Sequence, residues 1–228
     1  MKKLLLTILL LVSFVSMQGQ ENKRILVAYF SWGGNTEALA KEIQRQTYAD
    51  AYQIQPLVPY TTDYQTLAYE ISNKEKADNA RPTLKDTLAT LNDYDIIFVG
   101  CPVWWFDAPM VIHSFLECKS YDFSGKTIIP FCTYATASYE TLNDIVNATP
   151  SSNHLEGLGI RGSSNYNQQT IHSWLSRIGI ADIVAGINDV KQASHDEGKV
   201  YTLDGIKATT KPDARKGVYI VNGKKKVY

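Results

Sequence analysis

Arg24-Ile-Leu-Val-Ala-Tyr-Phe-Ser-Trp-Gly-Gly-Asn-Thr36 reads as a buried strand that runs into a glycine turn and then a helix. Ile25 to Phe30 is continuously apolar, as a parallel strand covered on both faces must be, and from Asn35 or Thr36 the apolar positions Ala38, Leu39 and Ile43 take up helical spacing. Gly33 and Gly34 permit a tight turn and a close approach of ligand to backbone. The N–H groups at the start of the helix, with the positive end of its dipole, favour an anion, and Ser31 and Thr36 add hydroxyl donors. No lysine stands in the turn, and neither G-x-x-x-x-G-K-[ST] nor G-x-G-x-x-G is present. That argues against a triphosphate or dinucleotide loop and favours a monophosphate held by neutral donors. An ordinary strand-to-helix turn has the same letters, so the surrounding chain has to decide.

From Arg24 to about Ala185 apolar strands alternate with amphipathic helices, the pattern of an α/β sheet. The helix after the glycine turn runs to about Tyr48, and Tyr52 to Gln55 makes a second strand. A helical stretch follows near Gln65 to Lys76, and Pro82 punctuates a short helical segment ending near Leu91. Asp95 to Gly100 and Lys126 to Phe131 are the clearest core strands, separated by a helix that begins at Pro109, where a proline costs no hydrogen bond. A helix from Tyr139 to Ala148, a fifth strand near His154 to Ile160 and a helix around Gln168 to Ile178 complete the unit. In open sheets of this kind ligands bind beyond the carboxyl ends of the strands, where the winding direction reverses. The loops after strands one, three and four should therefore meet.

The second of these loops, Gly100-Cys-Pro-Val-Trp-Trp-Phe-Asp-Ala-Pro109, carries three consecutive large aromatics. Each ring encloses on the order of 150–250 Å² when covered, so exposing them together is costly unless something lies on them. They could seal the core or a homodimer contact. With a monophosphate cradle on the neighbouring loop, a flat heterocycle is the better occupant, and the combination describes flavin mononucleotide (FMN), its phosphate at the first helix and its ring against Trp104 or Trp105.

These motifs resemble a known family. Tyr29-Phe-Ser-Trp-Gly-Gly-Asn-Thr36, Arg81-Pro82, Tyr94 to Gly100, Pro102-Val-Trp-Trp105, Asp122 to Phe131 and Glu156-Gly-Leu-Gly-Ile-Arg-Gly162 are similar to the flavodoxin family, in its bacterial branch with a Tyr-Pro-Ile-Trp-Trp loop. The resemblance implies a three-layer α/β/α fold with a five-stranded parallel sheet in the order 2-1-3-4-5. It also implies an FMN site drawn from three loops: Ser31, Trp32, Gly33, Gly34, Asn35 and Thr36; Pro102, Val103, Trp104, Trp105 and Phe106; and Thr133, Tyr134, Ala135, Thr136 and Ala137. Gly33 stands where the family's phosphate loop has a hydroxyl residue. Thr133 to Ala137 lacks the family's paired glycines, and Tyr134 adds an aromatic placed to stack on or screen the ring. Asp107 is the one carboxylate of the aromatic loop and would repel a reduced, anionic ring, unless solvent screens it.

Two functional classes follow: a carrier that passes electrons to a redox partner protein, or an oxidoreductase that takes hydride from NAD(P)H and reduces a quinone or other small acceptor. Low-potential carriers of the resembled family are markedly acidic, whereas this chain has 23 basic and 23 acidic residues. A third class, a partner-binding module with a vestigial site, follows from the altered Thr133 to Ala137 loop. His113, His154, His172 and His195 are scattered without ligand spacing and are read as structural or exposed, so no metal site is expected. Nucleic-acid binding would need a basic stripe, and the one dense cluster is Lys224 to Lys226 at the end of the chain.

The 228 residues suffice for one full core and a small appendage. Met1-Lys-Lys, an apolar run from Leu4 to Val15 and polar Ser16 to Gln20 read as a signal peptide over residues 1–20, shorter in its apolar part than a bilayer-spanning helix needs, with a retained anchor as the lesser alternative. Its loss would remove Lys2 and Lys3 and leave a formal charge of −2. The expected location is outside the cytoplasm, in a periplasm or at the cell surface. Cys101 and Cys132 each end a strand-like run, and buried free thiols are the expected state. The main domain is expected over 21–186, a polar linker over 187–199 and a β-meander over 200–228. In the meander, Asp204-Gly205 and Asn222-Gly223 mark turns among Val200 to Leu203, Ile206 to Ala208, Val218 to Val221 and Lys224 to Tyr228. This tail resembles C-terminal segments of exported Bacteroidetes proteins that act in sorting or surface attachment.

Overall fold

The computed structural model describes residues 23–162 and 167–186, and in the C-terminal part 200–202, 218–221 and 224–227. One compact unit runs from Lys23 to Val184, and residues from Ala185 onward belong to a second. The leader at 1–20, the linker at 187–199, the run at 206–208 and both expected turns of the meander lie outside the described residues.

Strand β1 (Ile25–Tyr29) is buried along its whole length. It pairs in parallel with β2 (Asp50–Gln53) on one side and β3 (Ile96–Pro102) on the other, and β3 pairs in parallel with β4 (Thr127–Tyr134). The fifth position is divided between β5 (Asn153–His154) and β6 (Leu158–Arg161), both parallel to β4. The order is thus the expected 2-1-3-4-5. The division has a cause in β4. The carbonyls of Lys126, just before β4, and of Ile128 and Tyr134 within it accept from Asn153, Leu155 and Gly162 at 2.8, 3.3 and 2.8 Å, so the even-numbered residues here turn their peptide groups toward the edge strand. Pro130 is in that row and has no N–H to offer, and the ladder lapses between Leu155 and Leu158.

Both faces of the sheet are covered. Helix α1 (Asn35–Thr47) buries Leu39, Ala40 and Ile43. Helix α2 (Asn73–Ala77) is the short continuation of a π-helix over Thr66–Ser72, so the helical stretch expected near Gln65 to Lys76 is present but mostly π-wound. Helix α3 (Met110–Leu116) brings Val111, Ile112, Phe115 and Leu116 into one cluster with Leu26, Ala28, Ile97, Val99 and Ile128. Helices α4 (Thr141–Asn147) and α5 (Gln168–Arg177) follow, with helical structure again over 180–186. Trp174 of α5 is buried, meets Phe98 at 5.7 Å between ring centres and donates its Nε1–H to the Glu156 carbonyl at 2.9 Å. Each such large apolar side chain contributes on the order of 1.5–3 kcal/mol by burial.

The helical segment expected between Pro82 and Leu91 does not form. Leu84 instead makes an antiparallel bridge to Pro56, Lys85 N–H donates to the Gln55 carbonyl at 2.9 Å, and only a 3-10 turn at Leu91–Asp93 precedes β3. Pairing with a segment some thirty residues earlier outweighs the weak local helical preference here.

Cys101 and Cys132 stand opposite one another in β3 and β4, both buried and free. Burial raises both thiols, Cys132 to about 12. Because thiolate is the reactive form, iodoacetamide on the native protein is expected to label Cys118 alone, with Cys101 and Cys132 reacting only on unfolding. Rapid native labelling of either buried cysteine, read by peptide mass, would contradict this packing.

In the second unit, β7 (Val200–Thr202), β8 (Val218–Val221) and β9 (Lys224–Val227) form an antiparallel sheet in sequence order. No helix among the described residues is long and apolar enough to cross a membrane.

Candidate functional site

The three loops expected to meet do meet, at the carboxyl edge of the sheet beside the β1–β3 switch point. Phe30 N–H donates to the Gly100 carbonyl at 2.9 Å, joining the first loop to β3, and Val103 N–H donates to the Thr133 carbonyl at 2.9 Å, joining the second to the third. Thr36 Oγ1 and Thr133 Oγ1 lie 2.7 Å apart in a buried hydrogen bond between the first and third.

Gly34 caps α1 in the left-handed conformation with φ 87°, which an L side chain rarely adopts, and offers no side-chain acceptor to the first turn. A Cβ built on Gly33 or Gly34 would meet nothing within 4 Å among the described residues, which leave the space above both open. Ser31 Oγ is buried and has no hydrogen-bond partner among the described residues. Such a group has an unmet bond costing about 1–3 kcal/mol, which an acceptor in the turn would recover. The first loop thus has open space, an uncapped helix start and an orphan hydroxyl, the chemistry of an anion cradle.

Next to it lies a cleft of about 320 Å³. Trp32 of the first loop, Val103, Trp104, Trp105 and Phe106 of the second, and Ala135, Thr136 and Ala137 of the third all line it. Trp32 donates its Nε1–H to the Thr61 carbonyl at 2.8 Å, and Trp104 packs edge-on against Phe30 and Tyr60 at 5.3 and 5.1 Å. Ser31, Gly33, Gly34, Asn35, Thr36, Pro102 and Thr133 frame the site without lining the cleft. Tyr134 does not turn into it: a Cβ on Gly159 would lie 3.2 Å from the Tyr134 ring, which places that ring over β6. The alternation of side chains along β4 puts Tyr134 and the buried Thr133 on opposite faces, so only one of them can face the loops.

The Trp104 to Asp107 turn is the most strained part of the site. Trp104 and Asp107 exchange backbone hydrogen bonds at 3.0 and 3.1 Å, and Trp105 and Phe106 between them have φ 49° and 75°. Two-residue turns with positive φ at both centres favour Asn-Gly, and a non-glycine residue there costs on the order of 1–3 kcal/mol. The surroundings hold it. Trp105 Nε1–H donates to the Ala68 carbonyl in the π-helix at 2.6 Å, and Glu140 N–H donates to the Phe106 carbonyl at 3.1 Å. Lys76 Nζ donates to the Trp105 carbonyl at 2.6 Å and forms an ion pair with Asp107. The Asp107 charge is therefore opposed by Lys76, an arrangement that neither alternative read from the sequence, unopposed repulsion of the ring or solvation, contained. Lys76→Met should lower stability by about 1 kcal/mol and speed amide exchange at Phe106 and Asp107. Unchanged exchange there would show that the turn does not depend on Lys76.

Residues from the connection between β2 and β3 complete the cleft: Tyr64, Leu67, Ala68, Tyr69 and Ser72, with Tyr139 from the approach to α4. Sequence reading missed them, although the tyrosines at 64 and 69 were a signal, since exposed rings clustered in a connecting segment need a surface to cover. Among the described residues no group of acidic, histidine or cysteine side chains could hold a metal. His154 Nε2 bonds Thr149 Oγ1 at 2.9 Å, His113 lies 3.9 Å from Glu117 with burial holding its pKa below the ordinary range, and His195 lies outside the described residues.

A parallel, doubly wound sheet with an anion cradle and an aromatic cleft at its switch point defines a nucleotide-binding α/β protein. The family can be stated more narrowly. The flavodoxin family model matches residues 24–178, and the chain belongs to that family. A candidate flavoprotein from Bacteroides uniformis ATCC 8492 is 34% identical with a TM-score of 0.60, covering 68% of this chain and 98% of that one. A second candidate flavoprotein, from Bacteroides eggerthii DSM 20697, is 31% identical at the same TM-score, covering 68% of this chain and 97% of that one. A flavoprotein from Lactobacillus acidophilus NCFM, solved in complex with FMN, is 20% identical with a TM-score of 0.53 over 67% of this chain and 98% of that one, and shares the fold. No curated protein matches the chain.

Proposed function

We infer that this chain is an exported, FMN-binding redox protein of the flavodoxin family that transfers electrons through the bound flavin. The observation that carries the reading is the junction of an anion cradle with an aromatic-walled cleft of about 320 Å³. Membership of the family and the FMN complex of the Lactobacillus acidophilus structural relative support it. The residues present suit that cofactor. Backbone N–H groups at the start of α1, the orphan Ser31 Oγ and the Thr36–Thr133 pair would hold the phosphate. In a hydroxyl–hydroxyl bond only one proton is committed, so the other hydroxyl keeps a donor for the anion. Trp104, Trp105 and the Ala135 to Ala137 backbone would flank the ring. FMN, when bound, supplies the electron uptake and release, and the protein sets orientation and access.

The physiological counterpart is a redox partner protein or a small electron acceptor. The mouth of the cleft supports the second: Phe106 and Tyr139 are 53% and 45% exposed and meet at 4.8 Å, presenting an aromatic rather than an acidic rim. On that reading the protein is an NAD(P)H-dependent reductase of a quinone or other small acceptor. Export rests on the leader-like residues 1–20 and the sorting-like tail, and places the protein in a periplasm or at the cell surface. Fractionation with mass analysis of the mature N-terminus tests this part.

The deciding experiment titrates residues 21–228 with FMN by fluorescence quenching, desalts the sample and reduces it stepwise without oxygen. Retained flavin reduced in two separate one-electron steps supports carriage between proteins. A single two-electron step with direct oxidation of NADPH supports the reductase, and no retained flavin moves the function to partner binding. Trp104→Ala should weaken FMN binding about tenfold, as loss of one aromatic contact implies; unchanged affinity would remove Trp104 from the site.

A further inference from the structure

A second cavity of about 270 Å³ lies behind the Trp104 wall, lined by Pro56, Val58, Pro59, Ile71 and Glu75. Tyr60 connects the two. Its ring meets Trp104 at 5.1 Å, inclined by 75°, while its hydroxyl donates to Glu75 Oε2 at 2.9 Å. Tyr60, Tyr64 and Tyr69 each pack against a tryptophan of the cleft, and of these three Tyr60 is the one whose hydroxyl donates to a carboxylate of the described residues. Among the described residues no cation pairs with Glu75: Lys74 is engaged by Asp78 and Lys76 by Asp107. Burial raises the Glu75 carboxyl above the usual carboxylate range and makes it a better base than an exposed glutamate.

We propose that Tyr60 and Glu75 act as a proton-coupled electron donor that refills Trp104 when its indole is oxidised in the cleft. A strong one-electron oxidant of the hydroxyl-radical class, derived from the peroxide that a reduced flavin releases in oxygen, takes one electron from Trp104 and is itself reduced to hydroxide. Tyr60 returns one electron to the tryptophan cation and passes its phenolic proton to Glu75 Oε2. A neutral tryptophan, a neutral tyrosyl radical and a neutral carboxylic acid result. The coupling is required because a phenol that loses an electron becomes a strong acid, and a cation stranded among Phe30, Trp104 and the proline-lined cavity would lack solvation. The hydrogen bond to Glu75 gives the proton a destination at hydrogen-bond distance. The consequence is that an oxidising equivalent leaves the cleft for the wall of the second cavity. The inference rests on the flavin reading only for the origin of the oxidant.

The test therefore uses the full chain without flavin. Azide radical generated by pulse radiolysis oxidises tryptophan, and the decay of indolyl absorbance into tyrosyl absorbance is followed. Wild-type protein is expected to show a fast intramolecular phase. Trp104→Phe should diminish that phase and Tyr60→Phe should remove it, and Glu75→Gln should slow it roughly a hundredfold, the typical effect of losing a positioned base. Thermal melts of the three variants show that each is folded. A fast phase that survives in Tyr60→Phe, or that is unaltered in Glu75→Gln, overturns the proposal. FMN titration of the same variants separates the two readings: a chain that binds FMN without the fast phase refutes this inference, and one that shows the phase without binding FMN refutes only the flavin reading.

Discussion

Gly100→Ala is expected to destabilise the protein by on the order of 3 kcal/mol, the upper part of the range for overpacking a core. Gly100 lies opposite Phe131 in the β3–β4 ladder, and Phe131 is wholly buried. A Cβ at position 100 would stand 2.0, 2.2 and 2.5 Å from three atoms of that ring, inside contact distance on every side of its tip. The ring has little room to retreat, because both strands are central in the sheet and the face beyond is filled by helices. A loss of this size corresponds to a melting temperature lower by roughly 6–12 °C for a domain of this length. Gly100→Ala combined with Phe131→Leu should recover part of the loss, since the shorter side chain clears the clash and neighbouring substitutions are not additive. Wild-type melting of the single variant would refute the close approach.

Gly34→Val is expected to reduce FMN affinity at least about a hundredfold, the effect of losing several kcal/mol of anion contacts. Position 34 has φ 87°, and a β-branched residue resists that conformation at a cost of about 1–3 kcal/mol. The turn would shift, and with it the N–H groups at the start of α1. Gly33→Ala is the control: its backbone needs no left-handed conformation, and its Cβ would touch nothing within 4 Å. That variant should melt within about 0.5 kcal/mol of wild type yet bind FMN more weakly, because the space it fills is the ligand's. Thermal melting and FMN fluorescence titration measured together separate the two effects. Equal FMN affinity in both variants and wild type would place the phosphate elsewhere.

The parts of this protein that were legible in its sequence share a physical character. The continuous apolar runs at Ile25 to Phe30, Ile96 to Val99 and Ile128 to Phe131 could only be strands buried on both faces, and a parallel sheet follows from them. The cradle was legible because its elements are consecutive: Ser31, Gly33, Gly34 and Thr36 are brought together by one turn of backbone. The aromatic loop was visible because three large rings in a row have a solvation cost that no other residue nearby offsets.

What the tertiary structure alone decided depends on residues far apart in the chain. Whether Tyr134 faces the cleft or β6 depends on the phase of β4 in the sheet. The gap in the edge strand depends on which neighbour the missing N–H of Pro130 faces. Lys76 cancels the charge of Asp107 across 31 positions, and Ala68 accepts the indole proton of Trp105 across 37. Tyr60 meets Trp104 and Glu75 only once the β2–β3 connection has folded back over the sheet. Local periodicity carries burial, because burial is a property of each residue and its immediate neighbours. It carries no record of which distant groups share a hydrogen bond, since that pairing is settled by the path of the whole chain.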